Sequence, residues 1–426
     1  MVQIIKPLID YRFRIFQVGI LLFYCYNFYC GLQLTPDSFA YLDGAKNLIS
    51  SGEYKYDCNN QPITLFPPLY SFYLAGFMLI GGFSSNLVIA SSVISFLFVL
   101  IYLNFKVKKI NNNLPDTAFL FLLCHFYFVY MGSVLSEVLF IPIFLIWIVN
   151  LFKQATVKKN NYFILFLEIL MVSTRYSGVL LIAAYYLSVF INDFISERYK
   201  LKYIKYYFKY LFPLVTLIYF IRLRSSVGGN GSVHHFILGS GKYSVFEYFI
   251  QIVNDIGYFF IGAALAFQLG KTFLLVLITL VLLFLFFKFF TFVINFDYIL
   301  FLVIAILIHI LFLANVWVDD TLQGRYMFWL YPIILMFSII RFRDIKYSSI
   351  YICFILLLLF VSDAYFIMKK HNKVANESEN HYYLRPNIYF QSESISSTQE
   401  FLQKISNHND SSFLISPCYK WNLINK

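Results

Sequence analysis

Apolar runs long enough to cross a lipid bilayer recur along the chain, and they restrict its fold more than any other feature. Backbone groups inside a bilayer must be hydrogen-bonded within the chain, so these runs predict helices. Hydrophobic residues make up 60% of the sequence and charged residues 13%, a balance that a water-soluble domain cannot cover with polar surface. We therefore expect an all-α polytopic membrane protein with about eleven transmembrane helices.

Lysine and arginine clusters between the runs give the predicted spans a direction. Lys106, Lys108 and Lys109 follow the run 86–104, and a second basic segment covers residues 198–209. Cytoplasmic loops are enriched in these residues, so we place both segments and the N-terminus inside. The net charge of +11 has the same origin, and no nucleic-acid partner is expected. The expected location is the plasma (inner) membrane of a bacterium, with an extracytoplasmic C-terminus.

The first external loop, residues 34–82, is predicted to contain two interfacial helices. The first covers residues 38–50, with Asp37 or Ser38 as its N-cap and Gly52 just past its end. One face of this helix collects Phe39, Leu42, Ala45 and Ile49, which suits a position at the membrane interface.

The second helix of this loop lies in the apolar run 65–82, which opens with Pro67 and Pro68. If the basic cluster after residue 104 is inside, this run does not fully cross the membrane. We therefore expect a helix that docks against the outer face.

The remaining spans give the chain one large transmembrane domain and one small tail. The domain covers residues 1–367, and residues 368–426 form a short extracytoplasmic segment. The first span is predicted at 15–33, and further spans at 115–132, 138–152, 161–175, 177–194, 210–222, 298–316, 327–340 and 348–367, with one inward span ending near Lys288. In the tail a short helix is expected near 398–405 and a strand near 412–416. Cys58 and Cys418 both fall in outer polar segments, where a disulfide is conceivable and its formation stays open.

Several outer segments, taken in order, resemble one family of membrane enzymes. The segments are TPDSFAYLDGAKNLISSGEY at 35–54, PITLFPPLYSFYLAGFMLIGG at 62–82, GSVLSEVLFIPIFL at 132–145, STRYSGVLL at 173–181 and DDTLQGRYMFWLYPIILM at 319–336. Together they resemble the polyprenyl-phosphate-sugar-dependent glycosyltransferases of the GT-C fold, family 39 type, such as protein O-mannosyltransferases and lipid A aminoarabinose transferases. Many members carry two adjacent acids in the first loop, whereas here Ser38 follows Asp37.

The resemblance implies a GT-C-type bundle that moves a sugar from a polyprenyl-phosphate donor to a lipid, glycan or protein acceptor outside. The reaction would be a single displacement with inversion. Asp37 fits the general base that deprotonates the acceptor hydroxyl. Glu137 could orient the acceptor, support Asp37 or help to bind a divalent cation, and Tyr41 is a substrate-binding candidate.

The resemblance also assigns the donor phosphate to the late arginine motif. Arg325 and Tyr326 fit this phosphate site, because arginine holds a phosphate through charge-assisted bidentate contacts. Arg175 is a second phosphate-binding or structural candidate. No metal site is predicted, since the adjacent His234 and His235 lack a third ligand at suitable spacing.

Structural and functional alternatives remain for these residues. Asp37 could cap a helix, Glu137 could be a buried structural acid, and Arg325 could be an interfacial anchor. Glu168 lies inside an apolar run, either buried and paired or at the end of a shifted span, and is not predicted to be catalytic. A transporter or flippase of a lipid-linked glycan would need polar residues near mid-span and usually repeated halves. A surface-polysaccharide polymerase or ligase is the third reading; it would favour a large external loop rich in Arg and His, for which residues 223–255 are the candidate.

Overall fold

The computed structural model describes part of the chain. The described residues are 18–29, 31–33, 36–56, 62–63, 66–82, 84–107, 130–154, 162–195, 296–313 and 383–384, with the single positions 329, 333, 361 and 365. In chain order the elements are α1 (Val18–Tyr29), β1 (Leu32–Gln33), α2 (Pro36–Ser50), α3 (Leu69–Gly81), α4 (Ser85–Val107), α5 (Glu137–Gln154), α6 (Tyr162–Thr174), α7 (Ser177–Ile195), α8 (Phe296–Leu313) and β2 (Tyr383–Leu384).

The chain divides into two compact units. The first contains residues 1–142 and 367–426, and the second contains residues 143–366. The boundary falls at Pro142 inside α5.

Helices occupy the predicted spans that fall in the described residues. These spans are 86–104, 138–152, 161–175, 177–194 and 298–316, now α4 to α8. Within the described part of the chain, one helix, at Ser85–Tyr102, is long and apolar enough by length and composition to cross a membrane, and five shorter apolar helices accompany it. The other predicted spans, and the helix and strand expected near 398–405 and 412–416, lie wholly or almost wholly outside the described residues.

The end of α1 differs from the sequence prediction. The first span was expected over 15–33, but the described helix ends at Tyr29. Gly31 follows with φ 100°, a conformation that glycine adopts without strain, and β1 begins at Leu32. The chain therefore leaves the helix before the apolar run is finished.

The start and the burial of α2 also differ from expectation. The helix begins at Pro36, which suits a first helical position, so Asp37 lies in the first turn rather than at the cap. Gly52 takes φ 74° just past the helix end, as expected. Of the predicted interfacial face, Leu42 and Ala45 are buried, as is Ser38 beside them, whereas Ile49 is exposed. Asp43 and Asn47, on the opposite side of the helix, are buried too. The helix is therefore covered on more than one face.

Two neighbours cover α2 within the first unit. The segment after the helix folds back through an antiparallel bridge between Lys55 and Pro62, and Asn47 Nδ2 donates to Lys55 O over 2.9 Å. A small apolar cluster of Ala40, Tyr56 and Ile63, with Tyr54 and Phe66 packed against it, closes this side. On the other side, α3 packs against α2.

Helices α3 and α4 form a pair joined by a tight turn. Gly82, with φ 80°, donates its N–H to Met78 O over 2.8 Å and ends α3. The Tyr73 hydroxyl lies 2.8 Å from both Ser91 O and Ser95 Oγ, which ties α3 to the first half of α4. On α4, Phe96 also stacks on Tyr24 of α1 at a ring distance of 4.6 Å.

A two-stranded antiparallel sheet connects residues 383–384 to the segment that follows α1. Leu32 of β1 is paired with Leu384 of β2, and Gln33 is paired with Tyr383. Both strands belong to the first unit.

In the second unit, α7 packs against both α6 and α8. Tyr185 of α7 and Phe301 of α8 meet edge to face at 6.0 Å. Trp147 from α5 contacts both rings, at 5.8 Å and 6.4 Å respectively. This aromatic core therefore joins α5, α7 and α8 at Trp147.

Candidate functional site

A pair of buried tyrosines forms the centre of the candidate site in the first unit. Tyr41 of α2 and Tyr70 of α3 meet edge to face at 5.0 Å, and the Phe66 ring lies 5.0 Å from Tyr41. The Ser71 hydroxyl donates to Tyr41 O over 3.0 Å and holds the two helices together at this point. Tyr41, a predicted substrate-binding residue, is thus a packed residue at the contact between α2 and α3.

Asp37 lies one helical turn before Tyr41, on the same side of α2. Its side chain is partly exposed, whereas Tyr41 is buried. A carboxylate in the first turn of a helix is stabilised by the helix dipole, so the structural role predicted for Asp37 persists although the residue is not the cap. The same position leaves the carboxylate accessible at the edge of the tyrosine pair.

Glu137 begins α5 and is fully buried. The turn before it packs against α1 at Gly132, where any Cβ would overlap the amide of Asn27. The Ser136 hydroxyl donates to Glu137 Oε2 over 3.3 Å. The negative charge of Glu137 acts on Tyr70, which connects the second predicted acid to the tyrosine pair.

Tyr70 is the residue of this site that the sequence analysis did not single out. Burial is the main cause that raises the pKa of the Tyr70 hydroxyl well above its usual range, and charge on Tyr73 and Glu137 adds to the effect. The phenol therefore stays protonated and remains a hydrogen-bond donor. The sequence signal was its position just after Pro67 and Pro68, but a tyrosine in an apolar helix is usually a packing residue.

Of the three predicted phosphate-binding residues, the structure describes Arg175. Arg175 lies in the second unit, at the turn between α6 and α7, where its N–H donates to Met171 O over 2.9 Å. Arg325 and Tyr326 lie outside the described residues, as do His234, His235, Cys58 and Cys418. The described part of the chain contains no group of three potential ligand side chains that could hold a metal ion.

Glu168 forms a second buried polar group, in the second unit. Its side chain on α6 is fully buried, and Oε1 accepts hydrogen bonds from Trp147 Nε1 at 3.2 Å and from the Tyr186 hydroxyl at 2.5 Å. Oε2 has no hydrogen-bond partner among the described residues. Of the two interpretations left open by the sequence, the buried one is confirmed.

Comparisons with protein families, with curated proteins and with solved structures find no match for this chain. A functional proposal must therefore rest on its residues and their geometry.

Proposed function

We propose that the chain is a multi-pass membrane glycosyltransferase that moves a sugar from a polyprenyl-phosphate donor to an acceptor on the extracytoplasmic face. The observation that carries this proposal is the cluster in the first unit. It combines the carboxylates of Asp37 and Glu137 with the tyrosine pair Tyr41 and Tyr70. These residues come from three separate helices.

The proposed chemistry uses the difference between the two acids. The partly exposed Asp37 acts as general base and takes the proton of the acceptor hydroxyl as its oxygen attacks the anomeric carbon. The polyprenyl phosphate leaves with the electron pair of the broken bond, so the sugar is transferred in one displacement. The buried Glu137 orients substrate.

Arginine would stabilise the charge that develops on the leaving phosphate. Arg325 with Tyr326 is the proposed site, because the segment around them resembles the late motif of the GT-C glycosyltransferases. Arg175 remains the second candidate. A divalent cation near Glu137 stays part of the proposal only as an alternative role for that acid.

Two features of the first unit support the proposed sidedness. The pairing of β1 with β2 brings the tail beside the first residues of the external loop. Helix α3 has 13 residues, a rise of about 20 Å, which is less than the roughly 30 Å of a bilayer core. The short helix agrees with a docked α3, and the strand pairing agrees with a tail on the same side as the loop.

The test is sugar transfer by the purified full chain, offered a panel of polyprenyl-phosphate sugars. Asp37→Asn removes the base but keeps the shape of the side chain, so transfer should fall by at least about 100-fold at normal membrane abundance. The matched control is Glu53→Gln, which removes an acid of the same loop that pairs with Lys55 at the surface. This control should keep transfer. Undiminished transfer by the Asp37 variant would contradict its role.

One observation favours a second candidate, a transporter or flippase of a lipid-linked glycan. Glu168 is buried within an apolar helix, and intramembrane carboxyl groups often mark transport pathways. The glycosyltransferase remains the better proposal, because the hydrogen bonds of Glu168 with Trp147 and Tyr186 give this carboxyl a structural role in the aromatic core. The loop 223–255, which prompted the polymerase or ligase reading, lies outside the described residues.

A further inference from the structure

One face of α3 is exposed and consists of apolar residues. Phe72, Leu79 and Ile80 share this face at helical spacing and are 54%, 70% and 82% exposed. The helix contains no charged residue. A helix that lies on the surface of a protein in water normally presents polar residues on its outer face. The exposed face of α3 therefore requires an apolar neighbour.

The exposed side of α4 continues this surface. Its exposed large hydrophobic residues are Ile94, Leu97, Phe98 and Ile101. Helical periodicity places the exposed faces of α3 and α4 on one side of the pair, because Tyr70 meets α2 and Phe96 meets α1 on the other side. Of the 18 residues of α4 from Ser85 to Tyr102, 39% are buried, whereas an apolar helix of a water-soluble protein is buried in its core. Bilayer lipid is therefore the neighbour that fits both helices.

A contact between α1 and α4 indicates where the middle of the bilayer lies. The rings of Tyr24 and Phe96 stack at 4.6 Å. Tyr24 is the central residue of the predicted span 15–33, and Phe96 lies next to the centre of the predicted span 86–104. The two helices thus meet at their middles, as two neighbouring spans should. Phe96 therefore marks the middle of the bilayer.

Helix α3 runs antiparallel to α4 and begins close to this depth. Tyr73, near the start of α3, contacts Ser91 O and Ser95 Oγ, both at 2.8 Å. At the other end of α3, a Cβ on Gly81 would lie 3.1 Å from Leu87 Cδ1. At 1.5 Å per residue, Ser95 lies about 15 Å and Leu87 about 3 Å from the first residue of α4. Since a bilayer core is roughly 30 Å thick, α3 starts near its middle and ends near its outer surface.

The start of α3 is suited to an apolar environment. Its N-cap is Pro68, and Pro67 precedes it, so neither position has a backbone N–H. The start of a helix normally leaves several N–H groups without partners, which is costly in hydrocarbon. The two prolines reduce the number of such donors at the end of α3 that would lie deepest.

We propose that α3 is a re-entrant helix, which enters the outer leaflet with its proline end deepest and turns back into α4 near the outer surface. The face formed by Phe72, Leu79 and Ile80 lies against lipid acyl chains. The inference rests on the proposed membrane location and goes beyond a helix docked on the outer face. It places the contact between Tyr41 and Tyr70 below the lipid headgroups.

The polar segment after α2 must then lie on the protein side of α3. The Tyr54 hydroxyl donates to Phe66 O over 3.3 Å, which brings this segment to the level of the start of α3. Glu53 in the same segment is exposed and pairs with Lys55. Irregular backbone at bilayer depth is tolerated only where it is buried in protein or lines a water-filled cavity. Glu53 therefore faces water in a cavity, opposite the lipid-facing side of α3.

The test is quenching of tryptophan fluorescence in the full-length protein, reconstituted in phosphatidylcholine with brominated acyl chains. Each variant is compared with the wild type, because the chain has four tryptophans of its own. Phe72→Trp and Ile80→Trp should add emission that is lost to the bromines and is insensitive to aqueous acrylamide. Bromines near the ends of the acyl chains should quench Phe72→Trp more strongly, and bromines near the headgroups should quench Ile80→Trp more strongly.

Two control variants calibrate the quenching. Phe98→Trp lies on the exposed face of α4 and should be quenched by brominated lipid. Glu53→Trp lies in the proposed cavity and should be quenched by acrylamide but not by lipid. All four substitutions are at exposed positions, so they should leave the fold intact.

The outcomes separate this inference from the proposed function. Phe72→Trp and Ile80→Trp quenched by acrylamide alone would place the face in water, and protection from both quenchers would mean that a protein or a second copy covers it. Either result overturns the inference, as does an equal or reversed depth of the two positions. If Phe98→Trp is quenched by lipid in these cases, the membrane span and the proposed transferase stand. If Phe98→Trp also escapes lipid quenching, the proposed membrane location fails as well.

Discussion

Two helix glycines, Gly44 and Gly76, have opposite surroundings although the sequence gives them similar positions. A Cβ on Gly44 in α2 would overlap the Tyr54 ring and lie 2.9 Å from Ser71 Oγ, whereas a Cβ on Gly76 in α3 would meet nothing within 4 Å. The absence of a side chain at Gly44 therefore lets α3 and the segment after α2 approach the helix closely. At Gly76 the described residues give no packing reason for glycine.

This difference predicts opposite signs for the same substitution. Gly44→Ala should destabilise the protein by about 1–3 kcal/mol, because the overlap outweighs the gain in helix propensity. Gly76→Ala should stabilise it by up to about 1 kcal/mol, since only the propensity term acts. Thermal unfolding of the purified variants measures both. A Gly44→Ala variant as stable as Gly76→Ala would contradict the packing described for α2.

The acids of the candidate site could be predicted from the sequence, but Tyr70 could not. Asp37 and Glu137 stand out because charges are rare in this chain and these two lie at the ends of apolar runs. Tyr70 is one of 35 tyrosines, so its residue type carries no signal. What distinguishes it is a hydroxyl without a hydrogen-bond partner among the described residues, and such partners are set by helices far apart in the sequence. Such a property appears only when α2, α3 and the start of α5 are assembled.

At the scale of elements, hydrophobic length predicted the helices and local glycines set their ends. The apolar runs of α4 to α8 are long, so the length of each run alone predicted a helix. The early end of α1 was missed because residues 30–33 continue the apolar run, and hydropathy cannot detect the positive φ of Gly31. The broad burial of α2 was missed because it depends on the fold-back at Lys55 and Pro62.

Glu168 allows a prediction for the contacts among α5, α6 and α7. Its Oε1 accepts from the buried Trp147 Nε1 and from the partly buried Tyr186 hydroxyl, so Glu168→Leu should remove the acceptor of both hydrogen bonds. The expected cost is about 1–3 kcal/mol for the buried Trp147 donor and less for the partly exposed Tyr186 hydroxyl. Glu168→Gln keeps an oxygen in place of Oε1 and should lose much less. Thermal unfolding of the two variants measures the difference.

Function then separates the two proposals for the protein. A glycosyltransferase should keep sugar transfer in Glu168→Gln, since the carboxyl serves packing. A transporter that releases a proton or a cation at this carboxyl should lose activity in the same variant, although its stability is retained. Loss of activity with retained stability would therefore favour transport over transfer.

At the scale of the whole molecule, the pairing of β1 with β2 relates the two ends of the chain. Leu32 follows the first apolar helix, and Leu384 follows the last predicted span. Strands that pair must lie on the same side of a membrane. The sequence predicted this shared side from its basic clusters, but it did not predict the strand pair, because two-residue strands carry no detectable pattern.

A pair of introduced cysteines tests both the pairing of β1 with β2 and the side of the membrane on which it lies. Leu32 and Leu384 are directly paired in the antiparallel ladder, where Cα atoms lie about 4.5–5.5 Å apart, within the range of a disulfide. The Leu32→Cys/Leu384→Cys variant should therefore form a disulfide spontaneously in an oxidising extracytoplasmic space. The shift in gel mobility after proteolysis between the two positions, with and without reductant, detects it.

The control pair is Leu32→Cys/Tyr383→Cys, which is out of register by one residue. Adjacent side chains of a strand point to opposite faces, so this pair should not cross-link efficiently.

Reporter fusions after residues 60, 108, 204 and 400 should in addition read outside, inside, inside and outside. The orientation would be inverted if the disulfide formed only after an oxidant reached the cytoplasm and the fusion at residue 400 read inside. Asp37 and Glu137 would then not lie on the face that an extracytoplasmic transferase requires.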